Sequence, residues 1–148
     1  FKYAATEEFR SIMLQVVKNS RKLAEELTKH GFRIVSGGSD NHIVLADLRP
    51  KKLTGKQFEK ALEYVGITVN KNMIPFDPEK PFVTSGVRIG TTSISQRGLK
   101  EPEVVEIARI MNKVAGNVED QKTLDEALAE AMALIGRFPL YPAGTLRP

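Results

Sequence analysis

The stretch ITVNKNMIPFDPEKPFVTSGVRIGT, residues 67–91, contains two β-prone runs joined by a proline-rich connection. The β-branched run at 67–69 predicts a strand, the sequence at 70–72 is typical of a turn, and residues 82–94 predict a further extended segment. Prolines at positions 75, 78 and 81 exclude regular structure between them and stiffen the loop. A loop of this length is usually ordered for a function. The stretch therefore predicts a strand, an ordered loop and a second strand.

Arg88 lies in the second run between Gly86 and Gly90, where packing does not require a guanidinium. It is either a surface residue or a clamp for an anionic ligand, because guanidinium presents two parallel donors that match a carboxylate. Asn72 is likewise either a turn residue or a ligand contact that donates and accepts together. The residues alone favour a surface arginine and a turn asparagine, and both alternatives stay open.

Helical signals precede this stretch. Thr6 is a candidate N-cap for a long helix with one apolar stripe, and Gly31 is its candidate stop. Thr54 followed by Gln57 is a capping box for a second helix, which Gly66 ends. The other predicted elements are strands at 32–35 and 42–48, a helix from Pro102 to Gly116, a helix from a Thr123–Glu126 capping box to Gly136, and an extended tail at 138–148.

This order of elements predicts the α+β class: a small, largely antiparallel sheet covered by helices. A chain of 148 residues is expected to form a single domain. Within it we expect a long packing helix at 1–30, the sheet and its loop at 31–100, two helices at 101–137, and the tail at 138–148.

Composition excludes several classes of function. Zero cysteines rule out disulfides, thiolate metal sites and a cysteine nucleophile, and this usage suits a cytoplasmic protein. No apolar run approaches the ~20 residues that span a bilayer, so no membrane partner is expected. The net charge of +4 is spread along the chain without a nucleic-acid reader motif. We therefore expect no nucleic-acid partner, and the mild excess is compatible with small anionic ligands.

The chain does not contain a self-sufficient set of catalytic residues. No serine lies in a nucleophile-elbow motif, and the two histidines, His30 and His42, are not spaced as metal ligands. His30 is interpreted as a residue of a helix's last turn, and His42 as a turn histidine rather than a catalytic base. We expect no metal site.

Four segments together resemble one family. They are SGGSDNHIVLADLR at 36–49, LTGKQFEKALEYVGITVNKN at 53–72, PFDPEKPFVTSGVRIGTTSISQRG at 75–98 and FPLYP at 138–142. In this order and spacing they are similar to the C-terminal region of serine hydroxymethyltransferase, over residues 1–144. Thr92 and Leu99 depart from the family's usual proline and phenylalanine, outside the implied ligand contacts.

The resemblance implies a pyridoxal-phosphate enzyme of the aspartate-aminotransferase-like fold, fold type I. Its reaction is the reversible transfer of the serine hydroxymethyl group to tetrahydrofolate, which gives glycine and 5,10-methylenetetrahydrofolate. Its implied partners are these small molecules and a second subunit, as a homodimer or higher. The resemblance makes Arg88 the substrate-carboxylate arginine and Asn72 a folate contact. It also assigns the folate side, with a weaker claim, to Glu79, Lys80, Pro81 and Phe82.

The family's Schiff-base lysine, its cofactor-stacking histidine and its cofactor-facing aspartate belong to motifs that do not occur here. The resemblance therefore implies the C-terminal small domain of a longer enzyme, whose large domain mainly binds the cofactor. We expect no catalytic residue in this chain and no activity from the chain alone. The alternative is a non-catalytic binding or assembly module.

Overall fold

The computed structural model describes residues 1–140 and contains, within them, five α-helices and a four-stranded sheet. The elements are α1 (Glu7–Lys29), β1 (Arg33–Ile34), β2 (Ile43–Asp47), α2 (Gly55–Tyr64), β3 (Asn70–Asn72), β4 (Gly86–Gly90), α3 (Thr92–Gln96), α4 (Glu101–Gly116) and α5 (Gln121–Gly136). The predicted tail at 138–148, with the end of the FPLYP segment, falls mostly outside the described residues.

The sheet is antiparallel throughout, in the order β1-β2-β4-β3. Because side chains alternate along a strand, it has two different faces. We call the covered face the one with the buried residues Ile34, Val44, Ala46, Val87 and Ile89. The open face carries Arg33, Ile43, Leu45, Asp47, Asn70, Asn72, Gly86, Arg88 and Gly90. The predicted α+β class is confirmed.

All the larger helices lie on the covered side. Helices α1 and α2 pack on the sheet. Helix α4 packs against α1 and α2, and α5 packs on α4. The fully buried Leu27, Phe58, Leu62 and Met111 belong to the core between these layers. Truncating such a leucine to alanine costs about 2–5 kcal/mol. No helix of the described part is long and apolar enough to cross a membrane.

Three of the four predicted helix starts are confirmed, including the first-turn Pro102 of α4, and one is wrong. Thr6 accepts a hydrogen bond from the Phe9 N–H at 3.1 Å, and Thr54 forms the expected reciprocal capping box with Gln57. Helix α5 instead begins at Gln121 with Asp120 as its N-cap, which accepts hydrogen bonds from the Thr123 N–H at 2.9 Å and the Thr123 hydroxyl at 2.6 Å. A carboxylate outcompetes a hydroxyl there because negative charge complements the helix dipole.

The strand predicted at 67–69 and the turn predicted at 70–72 are also wrong, because β3 is residues Asn70–Asn72. The Ile67 N–H donates to the Leu62 carbonyl at 2.9 Å and so belongs to the end of α2. It is therefore not available for a strand hydrogen bond at this position. Lys71 then aligns β3 by donating its N–H to Glu59 Oε1 at 2.9 Å.

The extended segment predicted at 82–94 is only partly correct, since β4 ends at Gly90 and the helix α3 starts at Thr92. Thr91 is fully buried, and its hydroxyl donates to the Val16 carbonyl of α1 at 3.0 Å. Asn19 of α1, also fully buried, donates to the Ser95 hydroxyl at 2.8 Å. These tertiary bonds override the local β preference of the Thr-Thr-Ser-Ile sequence.

Candidate functional site

The open face of the sheet places Arg88 at its centre. Strand β4 is hydrogen-bonded on both sides, with Leu45 of β2 and Asn70 of β3 directly opposite Arg88. The Arg88 side chain is exposed, whereas its neighbours Val87 and Ile89 point into the core. A two-sided strand fixes the backbone of Arg88 while leaving its guanidinium free to project from the sheet.

The Arg88 guanidinium makes no hydrogen bond or ion pair with the residues at 1–140. Other arginines of the same region differ, because Arg33 and Arg49 both bind Asp47, with Nε and Nη2 at 2.7 and 2.8 Å from Oδ2. Arg97 donates to the Phe138 carbonyl at 2.7 and 2.9 Å. The N–H donors of Arg88 are therefore open to solvent and available to a carboxylate.

Asp47 of β2 lies on the open face opposite Gly86, two residues before Arg88 on the paired strand. Its side chain is 1% exposed and also accepts the Arg49 backbone N–H at 3.0 Å. Burial acts to raise its pKa, but the hydrogen bonds from the side chain and backbone of Arg49 and from Arg33 outweigh it and lower the pKa to about 2. Asp47 is thus a charged structural group that forms ion pairs with Arg33 and Arg49 and not with Arg88.

Asn72 lies on the same face as Arg88. It pairs with Gly86, two residues before Arg88, so the two side chains are diagonal neighbours; in antiparallel sheets such neighbours are about 7–8 Å apart. The Asn72 amide donates to the Met73 carbonyl at 2.7 Å, which leaves its side-chain oxygen available. The fold therefore brings together the two residues for which the sequence left alternatives open.

Residues 73–85 connect β3 to β4 and present the other folate-side candidates at the tip. Glu79, Lys80, Pro81 and Phe82 are all exposed, Phe82 at 83%. The far arm of this loop is fixed to the start of α2, where the Gly55 and Lys56 N–H groups donate to the Thr84 and Val83 carbonyls at 2.8 and 3.0 Å. The tip is therefore exposed on a loop whose base is held rigidly.

Asp77 holds the near arm of the same loop, and sequence reasoning missed it. Its carboxylate accepts hydrogen bonds from Ser85 Oγ at 2.6 Å and from the N–H groups of Glu79, Ser85 and Ile74 at 2.9, 2.9 and 3.1 Å. Partial burial acts to raise its pKa, but these hydrogen bonds outweigh it and lower the pKa to about 2. An aspartate before a proline in a loop is typical of a side chain that accepts a hydrogen bond from the backbone N–H two residues later, and this pattern could have indicated Asp77.

Gly86 has no room for a side chain, because neighbouring atoms approach its Cα closely. Its backbone conformation is not one that favours glycine. A Cβ built there would lie 2.6 Å from Ile74 Cγ2 and 2.9 Å from the carbonyl oxygens of Ala46 and Asn72. At Gly90 the nearest atom to such a Cβ is the His42 carbonyl oxygen at 3.9 Å. The loop residue Ile74 thus closes one end of the open face, and the Gly90 end stays accessible.

The remaining candidates lie away from this face. His30 is the C-cap of α1, and His42 is exposed at the start of β2. Within residues 1–140, no group of three or more histidines and carboxylates is placed to hold a metal ion. An apolar groove of about 600 Å³ between α3, α4 and α5 includes Ile107, Met111 and Ile135 in its lining. Its polar lining residues are Thr68, Thr92, Ser93 and Arg97, and Arg97 is already bonded to the Phe138 carbonyl.

The lysines of the described part do not form a site for covalent attachment of a cofactor. None is buried, and Lys71, the one lysine on the four strands, lies on the covered face with Nζ 3.0 Å from Glu59 Oε2. A reactive lysine needs a desolvated pocket that depresses its pKa. An exposed arginine on the open face is chemically suited to a carboxylate, and among the described residues no lysine on that face could attach pyridoxal phosphate covalently.

Comparison with protein families gives a match over most of the chain. The model of the family described as serine hydroxymethyltransferase matches residues 1–111 of the 148. The matched part contains the sheet, Arg88, Asn72 and the loop between β3 and β4. The chain therefore belongs to the serine hydroxymethyltransferase family.

Proposed function

We propose that this chain supplies the substrate-carboxylate and folate-side part of a pyridoxal-phosphate-dependent enzyme. The reaction is the reversible transfer of the serine hydroxymethyl group to tetrahydrofolate, which gives glycine and 5,10-methylenetetrahydrofolate. Family membership supports the reaction class. The observation that carries the proposal is the exposed Arg88 guanidinium, without a partner in residues 1–140, on the central strand of the open face.

Arg88 binds the α-carboxylate of serine or glycine. Its two parallel N–H donors match the two carboxylate oxygens, and this bidentate geometry fixes the plane of the carboxylate as well as its position. Fixing that plane sets the direction of the other bonds at the α-carbon and so selects the bond that breaks. The contribution of Arg88 is therefore orientation in addition to affinity.

Asn72 and the loop tip bind tetrahydrofolate. The amide of Asn72 both donates and accepts, so it suits a heterocycle edge that presents both kinds of group. Phe82 offers an exposed ring and Lys80 a cation at the tip, together with Glu79 and Pro81. Because Asn72 and Arg88 are diagonal neighbours, the one-carbon donor and acceptor would meet over the open face.

The open face also supports a two-domain enzyme. Pyridoxal phosphate, when bound, supplies the electron sink for cleavage at the substrate α-carbon. We propose that a preceding large domain holds it and faces Arg88. On this proposal the chain alone does not convert serine to glycine, and the cofactor stays with the large domain.

Kinetics of the complete enzyme with substitutions at Arg88 test the proposal. We expect Arg88→Ala to lower kcat/KM for serine by at least about a hundredfold, and Arg88→Lys to restore little of it, because a point charge cannot replace a bidentate contact. Arg21→Lys is the matched control, since Arg21 is an exposed arginine on α1, and it should stay within about twofold. Near-normal turnover by Arg88→Lys would contradict the clamp. Absence of serine turnover in the unaltered enzyme would favour the binding-module alternative.

A further inference from the structure

The hydrogen-bond ladder between β3 and β4 ends at the pair Asn72 and Gly86. Beyond it, the carboxylate of Asp77 continues the connection between the two chains. Asp77 Oδ2 accepts the N–H of Ile74 at 3.1 Å from the β3 side and the N–H of Ser85 at 2.9 Å from the β4 side. Two N–H groups cannot bond each other, whereas one carboxylate oxygen accepts both. A side chain therefore replaces the next step of the ladder.

The second oxygen of the same carboxylate shapes the loop itself. Asp77 Oδ1 accepts the Ser85 hydroxyl at 2.6 Å and the Glu79 N–H at 2.9 Å, and the Asp77 N–H donates back to the Ile74 carbonyl at 3.1 Å. The bond to Glu79 turns the chain at Pro78 and directs residues 79–82 outward. One side chain thus joins both arms of the loop and sets the start of its tip.

The four accepted hydrogen bonds also limit what else Asp77 can do. An ionised carboxylate has about four lone-pair positions, and the contacts from Ser85, Glu79 and Ile74 use them. Asp77 therefore has no free acceptor position for a ligand. Its effect on a bound molecule must pass through the residues that it holds.

We infer that Asp77 is a positioning residue for the folate side of the site, which fixes the pairing of Asn72 with Gly86 and the placement of the loop tip without touching a ligand. This inference rests on the proposed function. Ser85 immediately precedes Gly86, and Ile74 follows Asn72 by two positions, so release of either arm frees the end of the ladder next to Asn72. Arg88 lies farther along the ladder and is also held by β2. Loss of Asp77 therefore affects tetrahydrofolate more than the amino acid.

The test compares Asp77→Ala with Asp125→Asn in the complete enzyme. Asp125 is an exposed aspartate that also accepts side-chain hydrogen bonds, from Tyr64 and Gln121, but it lies on α5, away from the loop between β3 and β4. For Asp77→Ala we expect faster hydrogen exchange at Ile74, Glu79 and Ser85 and a KM for tetrahydrofolate about tenfold higher. The folate-independent cleavage of a 3-hydroxy amino acid should stay within about twofold, because it does not use the loop. Asp125→Asn should change none of these.

Ser85→Ala keeps the inference testable if Asp77→Ala does not fold. It removes only the hydroxyl bond, so we expect an intermediate rise of about threefold in the KM for tetrahydrofolate. Unchanged hydrogen exchange in Asp77→Ala would overturn the inference, as would faster exchange with an unchanged KM for tetrahydrofolate, or equal loss of both reactions. Failure of the proposed function is distinguishable, because it appears as absent tetrahydrofolate-dependent turnover in the unaltered enzyme.

Discussion

Asn70 lies directly opposite Arg88 in the antiparallel pairing of β3 with β4, and Asn72 follows one step along the same face, opposite Gly86. Two asparagines separated by one lysine therefore have different neighbours. Asn70 is next to the proposed carboxylate site, and Asn72 is next to the base of the loop. Because side chains alternate along a strand, both asparagines lie on the open face, and the register of β3 with β4 gives them different neighbours there.

Asn72→Ala is expected to raise the KM for tetrahydrofolate by about three- to tenfold, the effect of losing one or two hydrogen bonds to a ligand. The cleavage of a 3-hydroxy amino acid without folate should be nearly unchanged. Steady-state kinetics of both reactions in the complete enzyme measure this. Asn70→Ala is the comparison from the same strand and should leave the KM for tetrahydrofolate within about twofold. Equal damage to both reactions by Asn72→Ala would argue against a folate contact.

Gly86→Ala is expected to destabilise the protein by about 1–3 kcal/mol, because the new methyl group overpacks its site. Its Cβ would lie 2.6 Å from Ile74 Cγ2, and two carbonyl oxygens at 2.9 Å prevent an easy shift. The free energy of unfolding in urea measures the effect. Gly90→Ala is the matched control on β4, with its nearest neighbour 3.9 Å away, and it should change stability by less than about 0.5 kcal/mol. Similar losses for both variants would show that the cause is not the contact with Ile74.

Asp47 should make stability depend on pH in the acid range. Its pKa in the folded protein is about 2, below the ordinary value of 3.8, so its stabilisation is present above about pH 4 and is lost as the pH falls towards 2. The size is on the order of 1–2 kcal/mol, because both arginine partners are about half exposed and partly screened.

Urea unfolding at pH 6 and at pH 2.5 tests this dependence. Asp47→Asn should be less stable than the unaltered chain at pH 6, and the gap should narrow at pH 2.5. Asp40→Asn makes the same chemical change at an exposed turn and should leave the free energy of unfolding unchanged at both pH values. A gap for Asp47→Asn that is independent of pH would exclude the carboxylate charge as its cause.

Asn19→Ala is expected to cost about 2 kcal/mol, because it leaves buried polar groups unsatisfied. The Asn19 amide donates to the Ser95 hydroxyl at 2.8 Å and the Leu99 carbonyl at 2.9 Å, and it joins α1 to the chain that follows β4. Asn112→Ala is the comparison, since Asn112 is half-buried and accepts from Lys51 at 2.9 Å. Thermal unfolding measures the stability of both variants. A larger loss of stability for Asn112→Ala than for Asn19→Ala would contradict the importance of this buried network.

The parts of the fold that sequence predicted are those that local signals determine. The capping box of Thr54 and Gln57, the N-cap of Thr6 and the proline at the start of α4 act within one turn of helix, so neighbours in sequence suffice. The α+β class follows from the order of such elements.

The wrong predictions concern segments whose secondary structure depends on residues distant in the sequence. Local β preference favoured a strand through residues 92–94, but contacts from Val16 and Asn19 of α1 hold a helix there. The position of β3 depends on Glu59 of α2, which lies 12 positions from Lys71. The family resemblance singled out Arg88 and Asn72, and only the sheet pairing showed that they share a face. The local bonds of Asp77 to Ile74 and Glu79 were open to prediction, whereas its bonds to Ser85, eight positions away, form only when the loop closes.

The strand order β1-β2-β4-β3 gives the two ends of the proposed site different resistance to local unfolding. Strand β4 is interior, so freeing Arg88 requires the breaking of hydrogen bonds to two strands. Strand β3 is a three-residue edge strand that pairs with one strand and is otherwise held by the Lys71 N–H bond to Glu59. Edge strands with few contacts open at lower free energy than interior strands. The part of the sheet around Arg88 can thus remain native while the edge around Asn72 opens transiently.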